Sequence, residues 1–208
     1  MTSLFPDVAS KAVVAFHDRR VSDGEWTARP AVYTDGAWQW IEANHRYNTR
    51  LWDEEDKARR KDVDDAAIAA NKRAIDGFNQ QRNDAIERID EALLVRLHDV
   101  ATRPDAWHSS ETAGSMIDRL SILALKIFHM AKQTRRTDAT IHHIAACREK
   151  LERLALQRDD LARCLDALLA KAARGEAFWK VYRQFKMYND PALNPYLYAG
   201  ESSKTGAE

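Results

Sequence analysis

Hydrophobic residues recur along this chain with the three-to-four-residue spacing of amphipathic helices, interrupted at a few places by proline and clustered polar residues. Prolines at 6, 30, 104, 191 and 195 leave two long proline-free stretches, both with helical periodicity. The pattern predicts a short helix from about Val8 to Arg20 and a long one from about 36 to 60, with Thr34 or Asp35 as N-cap. A third helical pattern runs from about 62 to Arg103, where Pro104 would stop it. Ser110 or Thr112 opens the next, to about 132, and Thr137 with Asp138 opens the last, which ends near Gly175.

The segment MIDRLSILALKIFHM is apolar nearly all the way round, as expected of a helix enclosed by its neighbours. The last helix carries a heptad seam, with Cys147, Leu154, Leu161 and Leu168 at one core position and Ile144, Leu151, Arg158 and Leu165 at the other, so it should pack along another long helix. Two helices of roughly 40 residues would each span about 60 Å. The expected fold is therefore all-α: an elongated, mostly antiparallel bundle of four to five helices with an irregular aromatic C-terminal segment. Residues 1–33 read as N-terminal helix and connector, 34–176 as bundle core, 177–200 as an aromatic segment packed across the bundle, and 201–208 as a disordered tail.

Composition supports this reading and removes several functions. Seven Gly and five Pro among 208 residues are half of ordinary usage, too few turns for a sandwich or barrel. Lys plus Arg and Asp plus Glu are 32 each, so no broad cationic surface for nucleic acid is expected. No apolar run approaches the ~20 residues of a membrane span, and Ala12 to Phe16 is too short for a signal-peptide core. Cys147 and Cys164 fall on one predicted helix about 25 Å apart and cannot pair within it. A cytoplasmic location is the expectation. Motifs of the HExxH, CxxC, GxGxxG, P-loop and GxSxG types do not occur.

The informative anomaly is polarity inside the predicted apolar stripes. At ~100° per residue, Asn44, Asn48, Glu55 and Arg59 share an arc with Ile41 and Leu51. Lys72, Asn79 and Arg82 fall within the stripe of Ile68, Ile75, Ile86, Ile89 and Leu93. Glu111, Ser115, Asp118 and His129 line one side of the apolar helix that also bears Lys126. A buried unpaired charge or amide costs several kcal/mol, so these groups either satisfy one another or line a pocket. A pocket with Arg59, Lys72, Arg82 and Lys126 would suit a phosphate-bearing ligand. Its asparagines would orient hydroxyls, while Glu55, Glu111 and Asp118 would be acid-base groups or hold a divalent cation such as Mg²⁺. The alternative is an internal network that fixes helix register. Both readings stay open on the sequence.

Other groups point less far. Asp62-x-x-Asp65 and Glu87-x-x-Asp90 resemble the paired acidic motifs of all-helical nucleotide pyrophosphohydrolases, with DxxD where those enzymes have ExxE, and solvated helix faces often carry such pairs. His142 and His143 face ~100° apart and read as surface residues. Ser115 and Ser121 have no triad partners nearby in sequence, and Trp40 and Trp52 sit at core spacing. Tyr182, Tyr188, Tyr196 and Tyr198 could belong to a tail that closes over a pocket.

The segments NHRYNTRLWDEEDKARR, SETAGSMIDRLSILALKIFHM and YRQFKMYNDPALNPYLY together resemble the bacterial domain-of-unknown-function family 4254, over roughly residues 5 to 198. The resemblance implies a helical protein whose gene neighbours are often sugar transferases for lipopolysaccharide or other surface glycans. It carries over no catalytic residues. Together with the polar stripes it suggests a protein that binds a phosphorylated sugar or nucleotide-sugar, with a reaction on that ligand left open. The alternative is a noncatalytic partner of a glycosyltransferase, using an aromatic patch around Phe178 to Tyr188, with a homodimer open in either case.

Overall fold

A computed structural model of the chain describes residues 4–183 and 190–196. Among them are five α-helices, α1 (Ser10–Val21), α2 (Gly36–Lys57), α3 (Asp65–Val95), α4 (Ala113–Gln133) and α5 (Ile141–Ala172). Two two-residue strands, β1 (Trp107–His108) and β2 (Ala177–Phe178), pair in parallel, Trp107 opposite Ala177. The fold is the expected all-α bundle.

Short polar connections at 58–64 and 134–140 fold α2 against α3 and α4 against α5 as two antiparallel hairpins. Asp64, Thr112 and Thr140 cap α3, α4 and α5, each accepting a backbone N–H from three residues on. Contacts from α4 to α2 advance in the same direction along both helices: Asp118 and Ser121 meet Asn44, His45 and Asn48, and His129 meets Trp52. The two hairpin turns therefore lie at the same end of the molecule.

The core sits at the opposite end. Ile41 of α2, Ile89 and Leu93 of α3, Ile117 and Leu120 of α4, and Leu165 and Leu168 of α5 are buried together beneath Val13 and Phe16 of α1. α1 is tied down through its ends: Asp166 accepts from the Ser10 N–H and hydroxyl at 2.8 and 2.7 Å, and Arg158 pairs with Asp18 at 2.9 Å. The Asp18 pair explains the one charged residue in the α5 heptad seam. Towards the turn end the seam is only partly covered, with Leu151 and Leu154 half-buried and Leu156 exposed.

Both long helices are shorter than their periodicity suggests. α3 ends at Val95, ahead of Pro104, and its 31 residues span about 46 Å. Beyond it the chain leaves the helix to run beside the end of α5. There Arg103 donates to the Gly175 carbonyl, Trp107 to Glu176 and Ser109 to Phe178, each at 2.9 Å. Gly175 has φ +69°, and a Cβ on it would lie 2.2 Å from the Ala101 carbonyl oxygen, so this crossing requires glycine. Of the C-terminal aromatic segment, Ala177 and Trp179 enter the core, while Tyr182 and Tyr196 are exposed. Tyr188, Tyr198 and the predicted tail 201–208 lie outside the described residues. Among the described residues no helix is long and apolar enough to cross a membrane. Cys147 is buried, Cys164 exposed, and both are free thiols.

Candidate functional site

The polar stripe of α2 divides into two regions. In the first, Asn44 and Asn48 are buried against α4. Both amides donate to Asp118 Oδ1, at 2.8 and 2.9 Å, and Asn48 also donates to Ser121 Oγ at 3.0 Å. His45 Nδ1 lies 2.7 Å from the same hydroxyl. Two amide dipoles thus solvate the Asp118 carboxylate, and the Arg82 guanidinium approaches it at 4.0 Å from α3. His45 and Ser121 form a Ser–His pair, but both are fully buried, so no substrate reaches the hydroxyl.

Around this network are buried groups that periodicity did not single out. The His17 and His45 rings lie 4.5 Å apart, with Trp26 stacked 5.1 Å from His45. Burial drives the His45 imidazole down to about 3 and holds His17 well below its ordinary value, so both are neutral. Glu42, 1% exposed, accepts from the Val32 and Tyr33 backbone N–H groups and pairs with Arg46 at 3.0 Å. On α3, buried Asp90 accepts from the Gly114 N–H at the start of α4, and burial raises its carboxyl to about 6.

In the second region the stripe opens. Asn48, Glu55, Arg59, Asn79 and Arg82 line one cleft of about 320 Å³ between α2, α3 and α4, with Trp52, Leu51 and Leu125 as apolar walls and Asp56 at its edge. Arg59 pairs with Glu55 at 2.9 Å, and the Nε of Arg82 is buried without a hydrogen-bond partner among the described residues. Five of the ten residues singled out from the sequence therefore line the cleft, and Asn44 and Asp118 lie beneath it.

Residues 38–181, from the first turn of α2 to just beyond β2, match the model of the family described as protein of unknown function (DUF4254). The chain belongs to that family. No curated protein and no solved structure matches the chain. The family match thus covers both regions of the α2 stripe, α3, α4 and α5.

Three sequence candidates lie elsewhere. Lys72 is exposed on α3 and pairs with Asp76 one turn on, at 2.5 Å. Glu111 precedes α4 and pairs with Arg119 at 2.6 Å beside a groove between α4 and α5. Lys126 is exposed and borders the α4–α5 side. The acid pairs also separate: Asp65 opens α3 and Glu87 lies 22 residues on, about 33 Å away along one helix. They cannot clamp one ion, and among the described residues no group of three or more His, Cys, Asp or Glu side chains is placed to hold a metal. His142 and His143 are exposed, with His143 Nε2 3.4 Å from Cys147 Sγ.

Proposed function

We propose that the cleft between α2, α3 and α4 binds a phosphorylated sugar or nucleotide-sugar, in the cytoplasm and in the setting of surface-glycan assembly that the family resemblance suggests. The observation that supports this reading most is the convergence of Arg59 and Arg82 with the amides of Asn48 and Asn79 on one opening of about 320 Å³, within the volume range of small-molecule sites. Guanidinium groups match phosphate oxygens in a fork geometry, and both Arg59 and Arg82 line the opening. Carboxamides both donate and accept, as sugar hydroxyls require. Glu55 and Asp56 are the cleft carboxylates placed for any acid–base step or for a share of a phosphate-bound Mg²⁺.

Thermal denaturation with glucose 1-phosphate, with and without Mg²⁺, tests the reading. Ligand at about 100 times its dissociation constant adds about 2.7 kcal/mol, a rise of roughly 5–10 °C for a chain of this size. Arg82→Ala should abolish the rise, and Arg59→Ala should reduce it. No rise with sugar phosphates at millimolar concentration would reject this function.

A noncatalytic role beside a glycosyltransferase is the second reading. It is favoured by the open groove between α4 and α5, about 730 Å³, at whose edge Trp107 is 52% exposed. That role predicts co-purification with a transferase and no response to sugar phosphates.

A further inference from the structure

A different cavity, of about 590 Å³, lies where the second half of α2 faces α4 and α5. One wall is aromatic. The Trp52 indole and the His129 imidazole stack with centroids 4.3 Å apart and planes 14° from parallel, and Met130 and Leu154 extend the apolar surface. Partial burial and nearby Lys132 hold His129 below its ordinary value, so at neutral pH its ring is uncharged. The indole Nε1–H of Trp52 is buried and has no acceptor among the described residues.

The rim has the opposite character. Lys126 from α4 and Lys150 and Arg153 from α5 surround the opening, against the single carboxylate of Asp56. Among the described residues Arg153 has only a loose partner, Glu149 at 3.8 Å, with both side chains at least 70% exposed. Neither lysine enters an ion pair among the described residues. Three cations collected at the mouth of an aromatic-walled hollow select for an anion that carries a flat apolar group. Inorganic phosphate would leave the wall uncovered, and an apolar peptide would leave the cations unanswered. A nucleoside phosphate satisfies both, because every base has a π-face for stacking, and a ribose diol can donate to a carboxylate.

We propose that this cavity is a nucleoside diphosphate site. The base would lie against the Trp52–His129 wall, Lys126, Lys150 and Arg153 would hold the phosphates, and Asp56 would take the ribose hydroxyls. Trp52 and Asp56 line the sugar-phosphate cleft as well, so a nucleotide-sugar would place its nucleotide here and its sugar there. That last step rests on the function proposed above.

Titration calorimetry and tryptophan fluorescence with UDP and ADP as probes test the proposal. Both should bind, quench fluorescence and differ little from each other, while uridine and inorganic pyrophosphate should each bind at least roughly tenfold more weakly. Lys150→Ala with Arg153→Ala, and separately His129→Ala, should weaken UDP by roughly tenfold or more. The first pair is on the surface, so folding is expected to survive, and circular dichroism checks this. Arg82→Ala should leave UDP binding unchanged while removing the glucose 1-phosphate response. Failure of both nucleotides to bind at millimolar concentration overturns the proposal, as does equal binding of pyrophosphate or undiminished binding by the folded Lys150/Arg153 variant. UDP binding without any glucose 1-phosphate response would reject the cleft reading and leave this site standing.

Discussion

Along α2, about two turns of helix separate two environments built from the same residue types. Around Asn44, His45 and Asn48 every polar side chain is buried, and the carboxylate of Asp118 is answered by two amides and a guanidinium. Around Glu55, Asp56 and Arg59 the side chains stand at the edge of open space, and Arg82 lines the cleft while its buried Nε faces Asp118 at 4.0 Å. Asn48 and Arg82 belong to both regions. The difference shows that polarity on an inward face does not by itself mark a site. What distinguishes the two is access, since His17, His45 and Trp26 in the first region keep ring nitrogens without a partner among the described residues, yet are too deeply buried for a ligand to reach. α1 and the core cover the first region, whereas the hairpin ends leave the second uncovered.

The largest effect should come from breaking the sealed region. Asp118→Ala would take the acceptor from the Asn44 amide, one of the acceptors from the Asn48 amide and the nearby carboxylate from the Arg82 charge, so a loss of about 3–5 kcal/mol is expected, roughly 6–20 °C in Tm. Asp118→Asn keeps one acceptor oxygen and should cost less, about 1–2 kcal/mol. Urea unfolding of both variants measures this. A cost below about 1 kcal/mol for the alanine variant would mean that water already shares the network.

Acid should act on the same region next most strongly. An unfolded histidine binds a proton near 6.5, but His45 does so only at about 3 in the fold, and His17 is held well below 6.5 too. Their stability contribution is therefore whole above pH 6.5 and is lost as pH falls towards 3. Each group gives a slope of about 1.4 kcal/mol per pH unit. Asp90 has the opposite sign. Its carboxyl is raised to about 6 from 3.8, so its burial costs most above pH 6, and that cost is relieved between 6 and 4. The two histidines lose about 1 kcal/mol each between pH 6.5 and 5.5 and Asp90 returns about 0.7, so unfolding free energy should drop there by about 1.3 kcal/mol. His17→Phe should flatten the drop, and Asp90→Asn should steepen it below pH 6. A stability flat from pH 7 to 5 would contradict neutral, sealed histidines.

Helix number and two of the caps were legible because they depend on local chemistry: Asp35 and Thr112 precede α2 and α4, and the apolar period of α4 persists across its length, whereas α5 starts later than Thr137 and Asp138 suggest, with Thr140 as its cap. The end of α3 was not, since residues 96–103 contain neither Gly nor Pro and the helix gives way to a tertiary contact with Gly175. The cleft was half legible. A 100° wheel places Asn48, Glu55, Arg59, Asn79 and Arg82 on inward arcs, but it cannot tell a covered arc from an open one. Glu42 and His17 escaped it altogether, because what buries Glu42 is the backbone of residues 32 and 33 and what buries His17 is a ring on another helix. Lys126 is exposed on the side of α4 that faces α5, away from the cleft.

The smallest effects sharpen the comparison best, because they separate two cations that the helical wheel of α3 treats alike. Arg82 has a side chain 27% exposed and stands 4.0 Å from Asp118. Its replacement by alanine leaves that carboxylate with both asparagine amides, so about 1 kcal/mol of stability should go, together with the glucose 1-phosphate response. Lys72 has a side chain 66% exposed and an i,i+4 partner in Asp76. Exposed pairs of that kind contribute a few tenths of a kcal/mol, so Lys72→Ala should shift stability by less than about 0.5 kcal/mol and leave the ligand response intact. Thermal denaturation of the two variants side by side, with and without glucose 1-phosphate, reads both quantities at once. If Lys72→Ala removed the response as fully as Arg82→Ala, the ligand would be held on the outer face of α3, and the line drawn between covered and open polarity would have to move there.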